Sequence, residues 1–538
     1  MQTTDNKILT VSRILVRTLQ KLKINAMFGY PGNTVLDVYD ELALQNEINH
    51  YLMQSEQSAV HAAEGYARVS GNCAAAIVTA GPGALNTVTA LSNAYLDGFP
   101  LVLIAGDISS DLAGKDAFQE INFPEIVKSC VKSVFKISDA EELESTLLQA
   151  YLVAMSGKKG PVVIDVPSDI FAQKTEYKDL VLPPDKVETV SDFDVSRAVE
   201  ILKNAKSPVI ICGGGVVHSK ASAELEEAVR LLKIPVVTTM MGLGAFPASN
   251  PLNAGMIGVY GNKSANRLLK SADAIVVLGA RFNDRVISAS DLEQLNTKTI
   301  IQVDLNSKEL IRNLSADLAV NADIKMFLAA LCRKYTETGT EDCNYEYAEN
   351  FRLLREDYEE IVSSKSVAQV LNSAAKGFVI ATDVGQHQVS LVRNYGFEFA
   401  GQLLTSGGLG AMGFGFGAAI GASVALAKKP VILFTGDGSF QMCPAELAVC
   451  KRYGIPVKIF VMNNGELGLV RQLQDEKFEG RHTEVALCNP DFVKLAESFG
   501  VKAERVDSYS EIEPAIKRAI EENSPYLIDF VLEKGEMV

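Results

Sequence analysis

At 538 residues the chain is far longer than one hydrophobic core can organise, and length alone predicts three or four domains. Its 47% hydrophobic and 22% charged residues describe an ordinary globular chain, and no apolar run approaches the ~20 residues that span a bilayer. The formal charge of −15 argues against nucleic acid or an anionic membrane as partner, because binding phosphate arrays requires a basic face.

In chain order, three blocks alternate short apolar strands with amphipathic helices, the mark of parallel α/β sheets. The first, residues 1–171, opens with a polar segment lacking the apolar core of a signal peptide. A helix is expected over 11–23, then strands over 26–29, 74–79, 101–105 and 162–166. The polar stretch 172–190, with its Pro183-Pro184 pair, reads as a linker. The second block, 191–335, carries expected strands over 209–212, 236–239, 274–278 and 299–303. A second polar stretch, 336–364, holds one helical piece. The third block, 365–538, carries expected strands over 379–382, 431–435, 457–462 and 526–531. The expected fold class is therefore α/β, with three doubly wound parallel-sheet domains, and the similarity of the blocks hints at duplication. Eight scattered cysteines without a C-x-x-C pair read as free thiols of a cytoplasmic protein.

The decisive motif lies in the third block. Gly436-Asp437-Gly438-Ser439 ends the apolar run VILFT, and Asn463-Asn464 ends the next one, VKIFVM. The glycines let main chain approach a diphosphate, Asp437 faces a divalent cation, and Asn464 supplies a second oxygen ligand. Mg²⁺ suits such a site, since it takes one or two protein side chains and fills its octahedron with phosphate oxygens. This pattern resembles the thiamine-diphosphate signature.

From Gly29 to Glu533 the chain resembles the acetolactate (acetohydroxyacid) synthase large-subunit family of thiamine-diphosphate enzymes. The segments carrying the resemblance are FGYPG, SEQSAVHAAEGYAR, TAGPGALN, GKDAFQE, GPVVIDVP, MGLGAFP, LGARFNDRV, DVGQHQ, SGGLGAMGFG, GDGSFQM and NNGELGLVRQ. It implies a pyrimidine-binding, a central and a diphosphate-binding domain, and decarboxylative condensation of small 2-oxo acids to 2-acetolactate. Glu56 matches the carboxylate that hydrogen-bonds the cofactor's aminopyrimidine ring; the bland alternative is a helix-capping glutamate. Glu64, inside the same helix, reads as structural. Met412 matches the apolar support beneath the bent cofactor, and Gln386, His387, Gly438 and Ser439 match diphosphate contacts. Glu466 joins Asp437 and Asn464 in the implied metal set.

Phe118 and Gln119 resemble residues reaching over the substrate of a neighbouring subunit, and Lys132 a lysine near the same cavity. Arg285 matches the arginine gripping the second 2-oxo acid, where a guanidinium fork suits a planar carboxylate; the alternative is a surface pair with Asp284. Gly213, Gly214, Arg281, Asp304 and Asp323 match the FAD-binding form of the central domain, in which FAD is structural. The implied assembly is a homodimer or homotetramer with room for a small regulatory subunit.

Two departures concern the acceptor pocket. Leu473 stands where the family carries tryptophan, and Val259-Tyr260 replaces the family's Met-His, so pyruvate self-condensation is expected over use of 2-oxobutyrate. Other readings are a different thiamine-diphosphate 2-oxo-acid decarboxylase or carboligase, and a catalytically silent paralogue. Decarboxylases carry adjacent histidines, which the five here never are. A silent paralogue would have lost Glu56, Asp437 or Asn464.

Overall fold

The computed structural model describes residues 7–183, 189–313, 315–338, 345 and 360–538. The helical piece expected within 336–364, Cys343 and part of the expected linker fall largely or wholly outside these residues. Three six-stranded parallel sheets organise the chain. In each, the inner strands are short apolar runs buried on both faces, such as Ala74–Val78, Ala274–Leu278 and Val431–Gly436.

Numbering the strands of each sheet along the chain, the first runs in spatial order 2-1-3-4-6-5 and the third repeats that order. The central sheet runs 3-2-1-4-5-6, the order of dinucleotide-binding folds. The duplication is thus a topological fact for the outer blocks, and the central block is a different winding. Within these three sheets, the six strands not expected from sequence are the two edges of each: Asn49–Leu52, Ser133–Lys136, Asn253–Met256, Leu318–Val320, Leu403–Thr405 and Lys502–Val506. Edge strands meet solvent and need no continuous apolar run. Part of the expected linker is also structured, because Lys174–Glu176 pairs antiparallel with Ile8–Thr10. The main-chain N–H groups of Lys178 and Leu180 then donate to Glu144 at 2.9 and 2.6 Å.

The chain divides into two compact units. One comprises Met1–Pro184, Phe378–Gly385 and Leu404–Gly535 and contains the first sheet and nearly all of the third. Within it, helices Glu56–Ser70 and Phe414–Ala425 cross at glycines. A Cβ at Gly421 would lie 1.8 Å from the Ala62 carbonyl oxygen, and one at Gly65 2.2 Å from that of Ala418. Only glycine permits this approach, which merges side chains of both sheets into a single apolar core. The second unit comprises Asp185–Gly377, Gln386–Leu403 and Glu536–Val538, and its core lies on the two faces of the central sheet. Among the described residues no helix is long and apolar enough to cross a membrane, and seven cysteines are free thiols.

Three charges meet where inner strands of the first sheet end. Lys136 lies 3.2 Å from Asp107 and 3.6 Å from Asp165. Burial, and then the Asp107 carboxylate, push Asp165 from 3.8 up to about 7, against the pull of Lys136. The folded chain therefore holds a proton that the unfolded chain releases above about pH 4. This contribution favours folding at low pH and is lost as pH rises towards 7. Asp165→Asn is expected to gain melting temperature relative to wild type between pH 5 and pH 8, measured by differential scanning fluorimetry at constant ionic strength. An offset independent of pH would show that Asp165 ionises as it does in the unfolded chain.

Candidate active site

In the third sheet the strands Ile380–Thr382 and Val431–Gly436 are neighbours whose onward connections run to opposite sides. Ligands of such sheets bind in the crevice outside the carboxyl ends at this switch point. Gly436 lies opposite Met462 in the adjacent strand Val457–Asn463, so Asp437 leaves the sheet level with Asn463, and Asn464 follows in the turn whose Gly465 N–H bonds Asp437. Asp437 is 3% exposed. One of its oxygens accepts the Gly438 N–H at 2.9 Å, and the other accepts the Gly465 N–H at 2.8 Å. Burial pushes its carboxyl up despite these bonds, an imbalance that a cation beside it would relieve.

Sequence reading left out what holds this carboxylate. The Asn489 amide donates to Asp437 at 2.7 Å and to Asn463 Oδ1 at 2.8 Å, and accepts from Gln441 at 2.6 Å. Asn463 in turn donates to the buried Asp529 at 2.9 Å, which also accepts from Arg505 at 2.9 Å. The two residues of the Asn463-Asn464 pair thus differ in role: Asn463 anchors the network and Asn464 stands at the turn. Only the Asn489-Pro490 turn signal could have pointed to Asn489. Asn464 Oδ1 accepts the Glu466 N–H at 3.1 Å. One oxygen of the Glu466 carboxylate accepts from Arg471 at 2.9 Å.

Met412 belongs to the same place, its Cε 3.6 Å from where a Cβ on Gly438 would lie. The loop before it hangs on the first sheet's helices. Gly407 and Gly408 donate their N–H groups to Asp97 at 3.1 and 2.7 Å, and the Ser406 hydroxyl bonds Asn93. Arg68 pairs with Asp97 at 2.6 Å and with Glu64 at 2.5 Å, with its guanidinium 4.2 Å from the Phe99 ring. Glu64 also accepts from Asn93 at 3.0 and 2.9 Å and is fully buried, the structural part expected of it.

Glu56 is the first residue of helix Glu56–Ser70, but the cap is supplied by Ser55, whose hydroxyl accepts the Ser58 N–H. The Glu56 carboxylate is thereby released from capping. It accepts from Asn86 at 3.0 Å and faces Gly83, where a Cβ would come within 3.4 Å. Gln119 packs on the same turn, its Cβ 2.8 Å from a Cβ built on Gly81. Its φ of +68° is a left-handed conformation costing a non-glycine residue on the order of 1 kcal/mol. Neighbouring Phe118 is 89% exposed. Lys132 lies apart, its ammonium bonded to the Val153 and Ser156 carbonyls at 2.5 and 2.6 Å at the end of helix Leu143–Met155.

The second unit carries the remaining residues. Gly213 and Gly215 follow strand Val209–Cys212, where Cβ atoms would lie 2.3 Å from the Gly279 oxygen and 2.6 Å from its Cα. They let two strand-end turns touch at the central sheet's own switch point, with Gly214 beside Met241. Arg281, just beyond, is half-buried and forms no hydrogen bond or ion pair with another described residue. Asp304 Oδ1 accepts the Asn306 N–H at 2.8 Å, and Asp323 caps helix Ile324–Glu337. Arg285 is exposed and 3.9 Å from Asp284; its carbonyl accepts the Val259 N–H at 3.1 Å, joining it to Val259-Tyr260. Gln386 and His387, both buried, open helix Gln386–Asn394, and Gln386 donates to the Glu536 carbonyl at 2.7 Å.

Among the described residues no three His, Cys, Asp or Glu side chains converge on a metal. A cation at Asp437 would find the amide oxygen of Asn464 and main-chain oxygens nearby, hard donors of the kind that Mg²⁺ takes together with phosphate oxygens. The buried Ser439 hydroxyl, 1% exposed and without a partner among the described residues, sits on the same turn and fits a diphosphate oxygen. Family models of thiamine pyrophosphate enzymes match in order: the N-terminal TPP binding domain over 9–126, the central domain over 195–331 and the C-terminal TPP binding domain over 383–530. The "Probable acetolactate synthase large subunit" of Methanocaldococcus jannaschii is 38% identical, over 97% of this chain and 92% of that protein. The acetolactate synthase large subunit of Lactococcus lactis is 36% identical over 98% and 93%. The Escherichia coli acetolactate synthase isozyme 3 large subunit is 34% identical over 99% and 96%. With three thiamine pyrophosphate enzyme domains in sequence and these relatives along nearly its whole length, the chain belongs to the acetolactate synthase large-subunit family.

Proposed function

We propose that the chain is an acetolactate synthase catalytic subunit, which decarboxylates one pyruvate and joins the remaining two carbons to a second, giving 2-acetolactate and CO₂. The observation that carries this reading is the buried Asp437 beside Asn464 at the third sheet's switch point, with the unpartnered Ser439 hydroxyl on the same turn. Asp437, Asn464 and the Glu466 main-chain oxygen would hold Mg²⁺, Gly438 and Ser439 the diphosphate, and Met412 the apolar underside of the cofactor. Thiamine diphosphate, when bound, supplies the carbon that adds to the 2-oxo acid carbonyl and stores the electrons left by CO₂. Glu56 holds a proton at the aminopyrimidine ring nitrogen. Arg285 grips the carboxylate of the second acid.

The exposed Phe118 and the strained Gln119 support a homodimer in which this loop covers a neighbour's site, since both features make sense once buried. The relatives' designation as large subunits supports a small regulatory partner. The unpaired Arg281 at a glycine-lined switch point supports structural FAD, because a half-buried cation there suits a dinucleotide diphosphate. Leu473 and Val259-Tyr260 favour pyruvate over 2-oxobutyrate as acceptor.

The test is purified protein with pyruvate, Mg²⁺ and thiamine diphosphate, with 2-acetolactate measured as acetoin after acid treatment. Acetoin is expected, with no more product when 2-oxobutyrate is added. Acetaldehyde alone would indicate a decarboxylase, and no turnover a silent paralogue.

A further inference from the structure

The main chain leading into Glu56 is held by a carboxylate from a distant part of the sequence. Glu446 ends the turn Pro444–Glu446 and precedes helix Leu447–Tyr453, yet makes no capping bond to that helix. It is 1% exposed, and both its oxygens lie 3.2 Å from the Gln54 N–H. Seven residues further on, the Tyr453 hydroxyl accepts the Leu52 N–H at 2.9 Å, with the Tyr453 ring 5.1 Å from that of Tyr51. The chain from the end of strand Asn49–Leu52 to the start of helix Glu56–Ser70 is thus fastened at two points, to the two ends of the short helix Leu447–Tyr453.

Among the described residues no cation pairs with Glu446. Hydrogen bonds from the Ser58 side chain and from the main chain of Gln54 and Ser55 partly offset its burial, which still pushes it to about 7. Burying a carboxylate without a counter-ion is costly, and apolar packing would hold the fold more cheaply. The group earns its place through the direction it imposes on the chain just before Glu56.

We propose that Glu446 is a positioning residue for Glu56, fixing the start of its helix and so the direction of its carboxylate. This rests on the role proposed above for Glu56. The geometric stakes are large, because an error of about 1 Å in a reacting group can cost on the order of 100-fold in rate.

The test uses full-length holoenzyme carrying Glu446→Ala, Glu446→Gln or Tyr453→Phe. Glu446→Ala is expected to lower kcat by about 10- to 100-fold while KM for pyruvate and the Kd for thiamine diphosphate stay within about threefold. Glu446→Gln, whose amide oxygen can accept the same N–H, should recover most of that loss. In cofactor-free protein, amide hydrogen exchange over residues 52–58 should speed up in Glu446→Ala and stay slow in Glu446→Gln. Tyr453→Phe removes only the second fastening and should lower kcat by a few-fold; it decides the matter if Glu446→Ala fails to fold. Unchanged kcat in the folded variants, or a loss in Glu446→Gln as deep as in Glu446→Ala, would overturn the proposal. A wild-type enzyme that neither binds thiamine diphosphate nor turns over pyruvate would instead sink the reading of Glu56 itself.

Discussion

Glu56→Gln is expected to cut pyruvate turnover by on the order of 10³-fold, about 4 kcal/mol of transition-state stabilisation. The two side chains have the same length, and the helix cap belongs to Ser55, so the substitution removes charge and basicity without touching the fold. Asn86, 3.0 Å from the carboxylate, can still donate to the glutamine oxygen. The melting temperature should therefore stay within a degree or two, and thiamine diphosphate should bind with nearly unchanged affinity. Steady-state kinetics paired with a cofactor titration separates the possibilities. Loss of binding together with turnover would make Glu56 a structural contact, and retained turnover would remove it from the chemistry.

Asp437→Ala has an equally large but different expected effect, on binding. The side chain is buried and accepts from Gly438, Gly465 and Asn489. Its removal takes away the metal carboxylate and strands three donors. Mg²⁺-dependent affinity for thiamine diphosphate should fall on the order of 100-fold or more, since loss of even an outer partner of a metal ligand typically costs 10- to 100-fold. At a cofactor concentration 100 times the wild-type Kd, wild type gains about 2.7 kcal/mol of stability, and the variant should gain little. Thermal shift with and without Mg²⁺ and cofactor reads this directly. Equal cofactor-induced shifts in both proteins would refute Asp437 as the metal anchor.

How much was legible in sequence follows a physical line. Inner strands such as Ala274–Leu278 and Val209–Cys212 were read to the residue because strands covered by helices on both faces must be uniformly apolar. The edge strands escaped because one side meets water. Lys502–Val506 is largely exposed, and Asn253–Met256, though buried, carries an asparagine and a glycine that break the run. Asp437 and Asn464 could be singled out because the proposed metal-diphosphate site calls for fixed residue types at the ends of two strands. Asn489 was not, because an asparagine in a loop says nothing of what it will touch. Glu446 was passed over inside an unremarked helical segment, since its partner is a main-chain N–H almost four hundred positions away.

By itself the sequence determined the class of the molecule: strand-and-helix periodicity, the glycine-aspartate turn, the paired asparagines and Glu56 are local patterns, each written within a few adjacent residues. Only the tertiary structure decided the repeated winding of the outer sheets, the network from Asp437 through Asn489 and Asn463 to Asp529, and the release of Glu56 from capping. The windings and the network depend on contacts between separate elements, those of the network spanning 26 to 66 positions, and such contacts are set by how closely elements pack and which buried polar groups must be satisfied, quantities that no single stretch of sequence carries.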